Sequence, residues 1–305
     1  MIYLDNSATT RVLPEAADAA YRAMTELFFN PASAYKPAVA TEKAVEAARA
    51  NLACALFCAP GEVVYTSGGT ESNNMAILGS LKPLRGKRRV ITTAGEHPSV
   101  LEVFRSLEGA ADTEVVVVGL TTDGTLRLDE LEESLTEDTA LVSIMHVSNE
   151  VGAVNDLEAI RALMRRTAPG ALLHSDGVQA FCKLPFDQLP ADLYSISAHK
   201  FHAPKGAGAL IVRSGVKFAG GQLGGGQERA MRSGTTNVPG VLGLDAALSA
   251  YRANREDWAA HMRACKLRHW KNLRSIPDAL VNGPAPEDGT PHILNVSFPG
   301  VRGEV

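Results

Sequence analysis

The amino-acid sequence predicts an α/β fold with a mostly parallel sheet that is covered by helices on both faces. Seven short apolar runs have the length of buried strands, at residues 63–66, 89–93, 114–118, 140–147, 171–174, 193–197 and 209–212. Helical patterns separate most of them, at residues 71–81, 99–107, 128–135 and 157–166. Strands that alternate with helices in this way are typical of a parallel sheet that is buried on both sides.

Further elements flank this alternating region. Residues 2–4 have the pattern of a short strand, and helices are predicted over 14–28 and 37–58, with a long helical stretch over 238–273. Proline at position 14 suits the first turn of a helix, and Pro60 with Gly61 ends the second one. These flanking elements extend the fold beyond the sheet at both ends of the chain.

The composition excludes several classes of function. The chain has 305 residues, of which 45% are hydrophobic and 21% charged, and its formal net charge is −4. Nucleic acids and anionic membranes bind basic surfaces, so neither is expected as a partner. The first residues lack the pattern of a signal peptide, and no apolar run reaches the length of a membrane span. We therefore expect a cytoplasmic protein.

The four cysteines are Cys54, Cys58, Cys182 and Cys265. They are too few and too scattered for a disulfide framework or a structural zinc site, so no metal is predicted. Cys54 and Cys58 lie four residues apart in a helical pattern, which places both on one face and favours a position in the core.

Polar residues follow the predicted strands, where ligands bind in parallel sheets. The letters SGGTESNN after the first strand place small residues at the start of a helix, and their free backbone N–H groups would suit a phosphate. The same letters also fit a plain helix cap, with Thr70 paired to Asn73 or Ser67 paired to Thr70. The motif by itself leaves both interpretations open.

Later strand ends present a ring, an amide, a carboxylate and an amine. His97 could stack on an aromatic ligand, although a histidine there also commonly caps a helix. The other polar residues at strand ends are Asn149, Asp176, Gln179, His199 and Lys200. A lysine after a strand would ordinarily be a solvated surface residue. Together, however, these groups match the needs of pyridoxal 5′-phosphate, which requires an anion pocket, a carboxylate beside its ring nitrogen, a stacking partner and a lysine.

Seven motifs occur in one order along nearly the whole chain: YLDNSATT, TSGGTESNN, EHPSV, VSNEVG, SDGVQA, SAHKFHAPKGAGAL and GGGQERAMRSGTTN. In this order they resemble the NifS/IscS-type cysteine desulfurases, members of the class V aminotransferase group. The resemblance implies the type I pyridoxal-phosphate fold, with a seven-stranded sheet and an incomplete α+β small domain.

The resemblance also implies a role for each strand-end residue. Lys200 corresponds to the Schiff-base lysine, and Asp176 to the partner of the pyridine nitrogen. His97 corresponds to the stacking histidine, which also serves acid–base steps. Gln179 corresponds to the group that bonds the phenolic oxygen of the cofactor. Asn149 corresponds to an asparagine that contacts the ring oxygen and the substrate carboxylate.

Phosphate and substrate contacts follow by the same resemblance. The implied phosphate ligands are Gly69, Thr70, Ser197 and His199. Thr235 would reach the phosphate from a second subunit, which implies a homodimer. Ala8 and Thr9 would lie near the substrate. The implied reaction is sulfur transfer: L-cysteine becomes L-alanine, and sulfur passes to an enzyme cysteine as a persulfide. A sulfur-acceptor or iron–sulfur scaffold protein would be the partner, and iron–sulfur cluster assembly, thiolation and nitrogen fixation all remain open as the pathway.

The resemblance breaks at the C-terminus. The nucleophilic cysteine and the carboxylate-binding arginine of the family lie downstream of a strand that resembles HILNVSFPG, whereas this sequence stops at Val305. None of the four cysteines matches the nucleophile. We therefore expect a C-terminally truncated form that binds cofactor but is impaired in persulfide formation, with an apolar patch exposed near residues 293–298.

The domain organisation follows from the same comparison of motifs. A large cofactor-binding domain is expected over residues 14–237, with an N-terminal arm over 1–13 and a spanning helix and partial small domain over 238–305. Two other functions stay open. One is a selenocysteine lyase or other class V enzyme, and the other is a non-catalytic subunit that binds cofactor or only dimerises.

Overall fold

The computed structural model describes residues 2–86, 88–185 and 187–302. Its helices are α1 (Pro14–Thr25), α2 (Lys36–Ala55), α3 (Gly69–Leu81), α4 (Pro98–Leu107), α5 (Leu128–Ser134), α6 (Leu157–Thr167) and α7 (Val238–Leu273). Its strands are β1 (Val63–Thr66), β2 (Arg88–Thr93), β3 (Thr113–Val118), β4 (Thr139–Ser143), β5 (Leu172–Asp176), β6 (Leu193–Ser197), β7 (Gly208–Val212), β8 (Leu280–Asn282) and β9 (Asn295–Ser297).

The first seven strands form one sheet in the order β1-β7-β6-β5-β4-β2-β3. The strands from β6 to β3 pair in parallel, and only β7 runs against its two neighbours. The predicted seven-stranded, mostly parallel sheet is therefore confirmed. Because the parallel strands share one direction, their carboxyl ends lie along one edge, and the polar residues that follow them meet there.

Helices cover both faces of the sheet. On one face, Ile77 of α3 and Phe104 of α4 belong to the same buried cluster. On the other face, Leu52 of α2, Ile160 of α6 and Leu244 of α7 belong to a second and larger cluster. The strands are buried on both sides, which explains their continuous apolar runs.

A second sheet consists of the antiparallel pair β8 and β9, and it follows the long helix α7. The loop between β8 and β9 packs onto the larger sheet. In that loop Thr290 donates its backbone N–H to the carbonyl of Gly152 at 3.0 Å. Gly152 has a φ of +72°, and a Cβ there would lie 2.8 Å from Cγ2 of Thr290, so the close approach requires glycine. This contact places the start of the small sheet beside the carboxyl edge of the large one.

The structure corrects three expectations. Residues 2–4 form no strand, because they are exposed and have no neighbouring strand to pair with. Strand β4 ends at Ser143 rather than at residue 147, since the backbone N–H of Met145 bonds to the carboxylate of Glu96 at 2.6 Å instead of to a strand. The patch at residues 293–298 is largely covered: Ile293 is buried, and the neighbouring Phe298 is half-buried.

Candidate active site

A cavity of about 540 Å³ opens at the carboxyl edge of the sheet. Ten of the residues predicted from the sequence line it: Ala8, Gly69, Thr70, His97, Asn149, Asp176, Gln179, Ser197, His199 and Lys200. The volume lies within the range that holds a cofactor together with a small substrate. The structure therefore brings together side chains that are separated by up to 192 residues in the chain.

Lys200 follows β6 on a single turn of 3₁₀ helix and extends toward the N-terminal segment. Its Nζ donates to the carbonyls of Ser7 at 2.5 Å and of Ala8 at 2.9 Å. Burial lowers the pKa of the Lys200 amine below its ordinary value, although Asp176 and Asp5 act in the opposite direction. A larger share of the amine is therefore neutral, which is the form that attacks a carbonyl carbon.

Asp176 is the last residue of β5 and is buried at the bottom of the cavity. Its Oδ1 accepts the N–H of Val178 at 2.9 Å, and its Oδ2 accepts the side-chain amide of Asn73 at 2.7 Å. Burial raises the pKa of this carboxyl despite those bonds and despite the nearby His97 and Lys200. A buried carboxylate in this state would be stabilised by a cationic ring N–H.

His97 caps helix α4. Its Nδ1 accepts the backbone N–H of Ser99 at 3.1 Å and lies 2.7 Å from the hydroxyl of the same residue. Since Nδ1 must accept the backbone proton, the neutral ring carries its own proton on Nε2. The capping role and a role at the cavity are thus compatible, because they use different ring nitrogens.

The start of α3 has the features of an anion site. Helix α3 begins at Gly69, and no side chain caps its first turn. The predicted capping pairs of Thr70 are therefore absent, and the N–H groups of this turn stay available. A Cβ on Gly69 would lie 2.8 Å from Cγ2 of Val178, so only glycine fits this wall of the cavity. Ser197, buried at the end of β6, and His199 complete the surroundings.

Three of the predicted residues need separate comment. Thr9 does not line the cavity, but its hydroxyl lies 3.1 Å from Nδ1 of His199. Asn149 lines the cavity, and its amide donates to the carboxylate of the next residue, Glu150, at 2.7 Å. Thr235 is exposed and lines a different cavity of about 170 Å³, beside Glu228. Within one chain, Thr235 is therefore separate from the other predicted ligands.

The structure adds site residues that the sequence patterns did not indicate. Glu96 is fully buried, and its Oε1 accepts the hydroxyl of Thr93 at 3.0 Å as well as the N–H of Met145. Burial, and then the charge of Asp176, raise the pKa of Glu96 to about 8. Asn73 was considered only as a capping partner, yet it holds Asp176. Neither role has a local sequence signal, because each depends on contacts between different strand ends.

No cysteine lines this cavity, and all four lie in the described part of the chain. Cys182 is buried, and burial raises the pKa of its thiol well above the ordinary value. Cys54 is exposed and Cys58 only half-buried, so the core position expected for this pair is wrong for Cys54. Cys54 faces Arg252 of α7, and the guanidinium of Arg252 lies 3.9 Å from the sulfur of Cys54.

The residues present fit pyridoxal phosphate. The cavity combines an uncapped helix start, a buried carboxylate and a lysine whose amine bonds only to backbone carbonyls among the described residues. The Oδ1 of Asn73, beside that carboxylate, is buried without a hydrogen-bond partner in the described chain. No group of three or more His, Cys, Asp or Glu residues suited to a metal ion occurs in the described ranges, and no helix there is long and apolar enough to cross a membrane.

Comparisons with known proteins agree with this geometry. The sequence profile of the family described as Aminotransferase class-V matches residues 2–305. Cysteine desulfurase IscS of Photorhabdus laumondii is 40% identical over 311 residues, which cover 99% of this chain and 76% of the relative. A solved NifS-like protein superposes with a TM-score of 0.95 at 36% identity, covering 99% of this chain and 83% of that one.

A further solved structure is that of SspA in complex with cysteine. It superposes with a TM-score of 0.76 at 33% identity, covering 82% of this chain and 72% of that one. The fold, the family profile and the relatives all indicate the same family. The chain belongs to the class-V aminotransferase family, among relatives that are cysteine desulfurases of the IscS and NifS type.

Proposed function

We propose that this chain is a pyridoxal-phosphate enzyme that acts on L-cysteine and releases L-alanine, with the sulfur passing to a thiol as a persulfide. The observation that carries the proposal is that Lys200 and Asp176 line one cavity together with the uncapped start of α3. An amine, a carboxylate and an anion site in this arrangement match the Schiff-base carbon, the ring nitrogen and the phosphate of that cofactor.

The cofactor supplies an electron sink for bond breaking at the α-carbon of an amino acid. The residues of the chain prepare the surroundings for this chemistry. The Lys200 amine, whose pKa is lowered by burial, would accept and return a proton. Asp176 holds the proton of the ring nitrogen, and Asn73 and Val178 keep that carboxylate in place. His97 holds a proton on Nε2, because its Nδ1 is occupied by Ser99.

Substrate and phosphate contacts are proposed for the remaining predicted residues. Ser197, His199 and Thr70 would hold the phosphate with the backbone of Gly69. Ala8, Thr9 and Asn149 would lie against the substrate. We also propose a homodimer, supported by the exposure of Thr235 outside the cavity of its own chain.

Three broader features remain proposals. The division into a large domain over residues 14–237 and a smaller unit after it is one of them. A sulfur-acceptor or iron–sulfur scaffold partner is the second, and a cytoplasmic location is the third. Transfer of sulfur from L-cysteine to a candidate acceptor protein, followed by mass spectrometry of the persulfide on that protein, would identify the acceptor.

The test of the function is spectroscopic and chemical. Purified protein mixed with pyridoxal phosphate should develop a visible absorbance band that survives dialysis. Lys200→Ala should abolish this band, whereas Lys205→Ala, at an exposed lysine of the same loop, should keep it. With L-cysteine and a thiol acceptor, the wild-type protein should release alanine and form a persulfide on the acceptor, which a second equivalent of thiol then reduces to sulfide with formation of a disulfide. Absence of the band in the wild-type protein would refute the proposal.

The same assay separates the alternative functions. Alanine release from selenocysteine but not from cysteine would indicate a selenocysteine lyase. Amino-group transfer to a keto acid would indicate an aminotransferase. Dimerisation without any cofactor absorbance would indicate a non-catalytic subunit.

A further inference from the structure

The loop between β8 and β9 reaches the candidate active site through His292. The Nε2 of His292 lies 3.3 Å from Oε1 of Gln179; the Gln179 side chain is buried and His292 is half-buried. Gln179 lines the cavity, and its Nε2 donates to the carbonyl of Ser7 at 2.8 Å. A residue near the end of the chain therefore contacts a cavity residue that lies 113 positions earlier.

Four residues, Ser7, Gln179, His292 and Thr290, are linked by consecutive hydrogen bonds. The backbone carbonyl of Ser7 determines which atom donates in each of these bonds. The oxygen of Ser7 can only accept, so the amide nitrogen of Gln179 must face it and the amide oxygen must face His292. That oxygen can only accept as well, so Nε2 of His292 carries the proton. Its Nδ1 is then an acceptor, and the hydroxyl of Thr290, 2.7 Å away, is the donor.

The histidine is held in this neutral form by its surroundings. Burial lowers the pKa of His292 well below its ordinary value, and the charges of Lys183 and Lys266 act in the same direction. A protonated ring would also lose the bond from Thr290, because its Nδ1 could no longer accept. The amide oxygen of Gln179 thus requires the Nε2–H tautomer, and the hydroxyl of Thr290 supplies the donor that Nδ1 then needs.

The loop that carries His292 is itself fixed from two sides. Helix α7 contributes Lys266, whose Nζ donates to the carbonyls of Asp288 and Thr290, both at 3.0 Å. On the other side the backbone of Thr290 bonds to Gly152, in the loop that follows Asn149. The position of this loop is therefore tied to α7 and to a second wall of the cavity.

We propose that His292 is a positioning residue for the cofactor site: its Nε2–H orients the amide of Gln179 so that the nitrogen, and not the oxygen, faces the cavity. This inference rests on the proposed function and on the role that the resemblance implies for Gln179, which is to donate to the phenolic oxygen of the cofactor. Without His292 only the carbonyl of Ser7 restrains the amide, so its nitrogen is held toward the cavity less firmly. The small sheet thereby acts on the site without contacting the substrate.

Three variants and one control test this proposal. His292→Leu removes the donor, and His292→Gln keeps a donor N–H within reach of the same oxygen. Thr290→Val keeps the shape of a fully buried residue and removes only the hydroxyl that donates to Nδ1 of His292. The control is His269→Leu, at an exposed histidine of α7.

Titration with pyridoxal phosphate gives the first measurement. His292→Leu should bind it about five- to tenfold more weakly, the effect of losing one buried hydrogen bond. His292→Gln should recover most of the affinity, and Thr290→Val should show a smaller loss in the same direction. The pH midpoint of the absorbance band should shift in His292→Leu and return in His292→Gln. Equal affinity and an equal midpoint in all variants, or weakening in His269→Leu to the same degree, would overturn the proposal.

A second measurement needs no cofactor. In ¹⁵N-labelled cofactor-free protein, His292 should show the Nε2–H tautomer, and Thr290→Val should keep it, because the amide oxygen of Gln179 still requires a donor. An Nδ1–H tautomer in the wild-type protein would overturn the inference while leaving the function intact. Conversely, the expected tautomer in a protein that takes up no pyridoxal phosphate would refute the function and, with it, the cofactor role of His292.

Discussion

Arg49 and Glu228 form a bidentate ion pair, with distances of 2.7 and 2.8 Å between their nitrogen and oxygen atoms, and each side chain is only about one-twentieth exposed. The carboxylate also accepts the backbone N–H of Tyr65 at 2.9 Å, and the guanidinium lies over the ring of Tyr65 at 4.6 Å. The pair therefore ties the loop that carries Thr235 to α2 and β1.

Loss of one partner of this pair should destabilise the fold. Glu228→Gln leaves the buried guanidinium with only the exposed carboxylate of Glu46 as its counter-charge, and we expect a loss of about 3–5 kcal/mol in the free energy of unfolding by urea. The double variant Arg49→Met/Glu228→Gln should lose less than the sum of the single variants, because neither charge is then left alone. As a control, Arg22→Ala at the exposed pair with Glu26 should change stability by less than about 1 kcal/mol.

Glu96 should make stability fall as pH rises. Its pKa is about 8 in the folded protein and 4.5 as an ordinary glutamate, so the folded state holds the proton more strongly. The stabilisation is complete below pH 4.5 and is lost as pH rises through 8, by at most about 1.4 kcal/mol for each pH unit. In Glu96→Gln this loss should disappear. Urea unfolding should show equal stability of the wild-type protein and Glu96→Gln at pH 5. At pH 8, Glu96→Gln should be the more stable of the two. A variant that is less stable at pH 8 would contradict this.

Lys183 is buried next to Cys182. Burial lowers its pKa to about 8, with a smaller contribution from Lys200, whereas Cys182 opposes the shift. The folded state therefore holds this proton less strongly than the unfolded state, and charge on Lys183 costs stability below pH 8. Lys183→Met should stabilise the protein at pH 7 by about 1–3 kcal/mol, and the gain should vanish above pH 10.5. Thermal unfolding at both pH values would measure it, and Lys205→Met should show no such gain.

Gly208 packs against the backbone that precedes α3. A Cβ on Gly208 would lie 2.6 Å from Cα of Gly68 and 2.6 Å from the carbonyl oxygen of Ile196, both of which are backbone atoms. Gly68 directly precedes α3, so Gly208→Ala should displace the start of that helix. We expect a loss of about 1–3 kcal/mol in stability and weaker binding of pyridoxal phosphate, measured by urea unfolding and absorbance titration. Gly170→Ala, where a Cβ meets nothing within 4 Å, should leave both unchanged.

Much of the fold and site followed from local patterns. The seven strands lie within a few residues of their predicted bounds, and α7 spans Val238–Leu273 as expected. The carboxyl edge of a parallel sheet collects whatever follows each strand, which is why Lys200, Asp176 and Gln179 could be expected near one another. Strand ends were less predictable, as β4 showed, because the buried side chain of Glu96, from the loop after β2, replaced a ladder bond.

The sequence by itself determined the order of strands and helices and the chemical groups at their ends, since period, length and turn residues are local properties. Only the tertiary structure decided which of these groups are buried and what they contact. The raised pKa of Glu96 comes from its burial between the segments that follow β2 and β4. The bond from His292 to Gln179 joins positions 113 apart, and no local pattern encodes that distance. Lys200 is the clearest case. A lysine after a strand would ordinarily be a solvated surface residue, whereas burial beside Ser7 and Ala8 makes this one a candidate nucleophile.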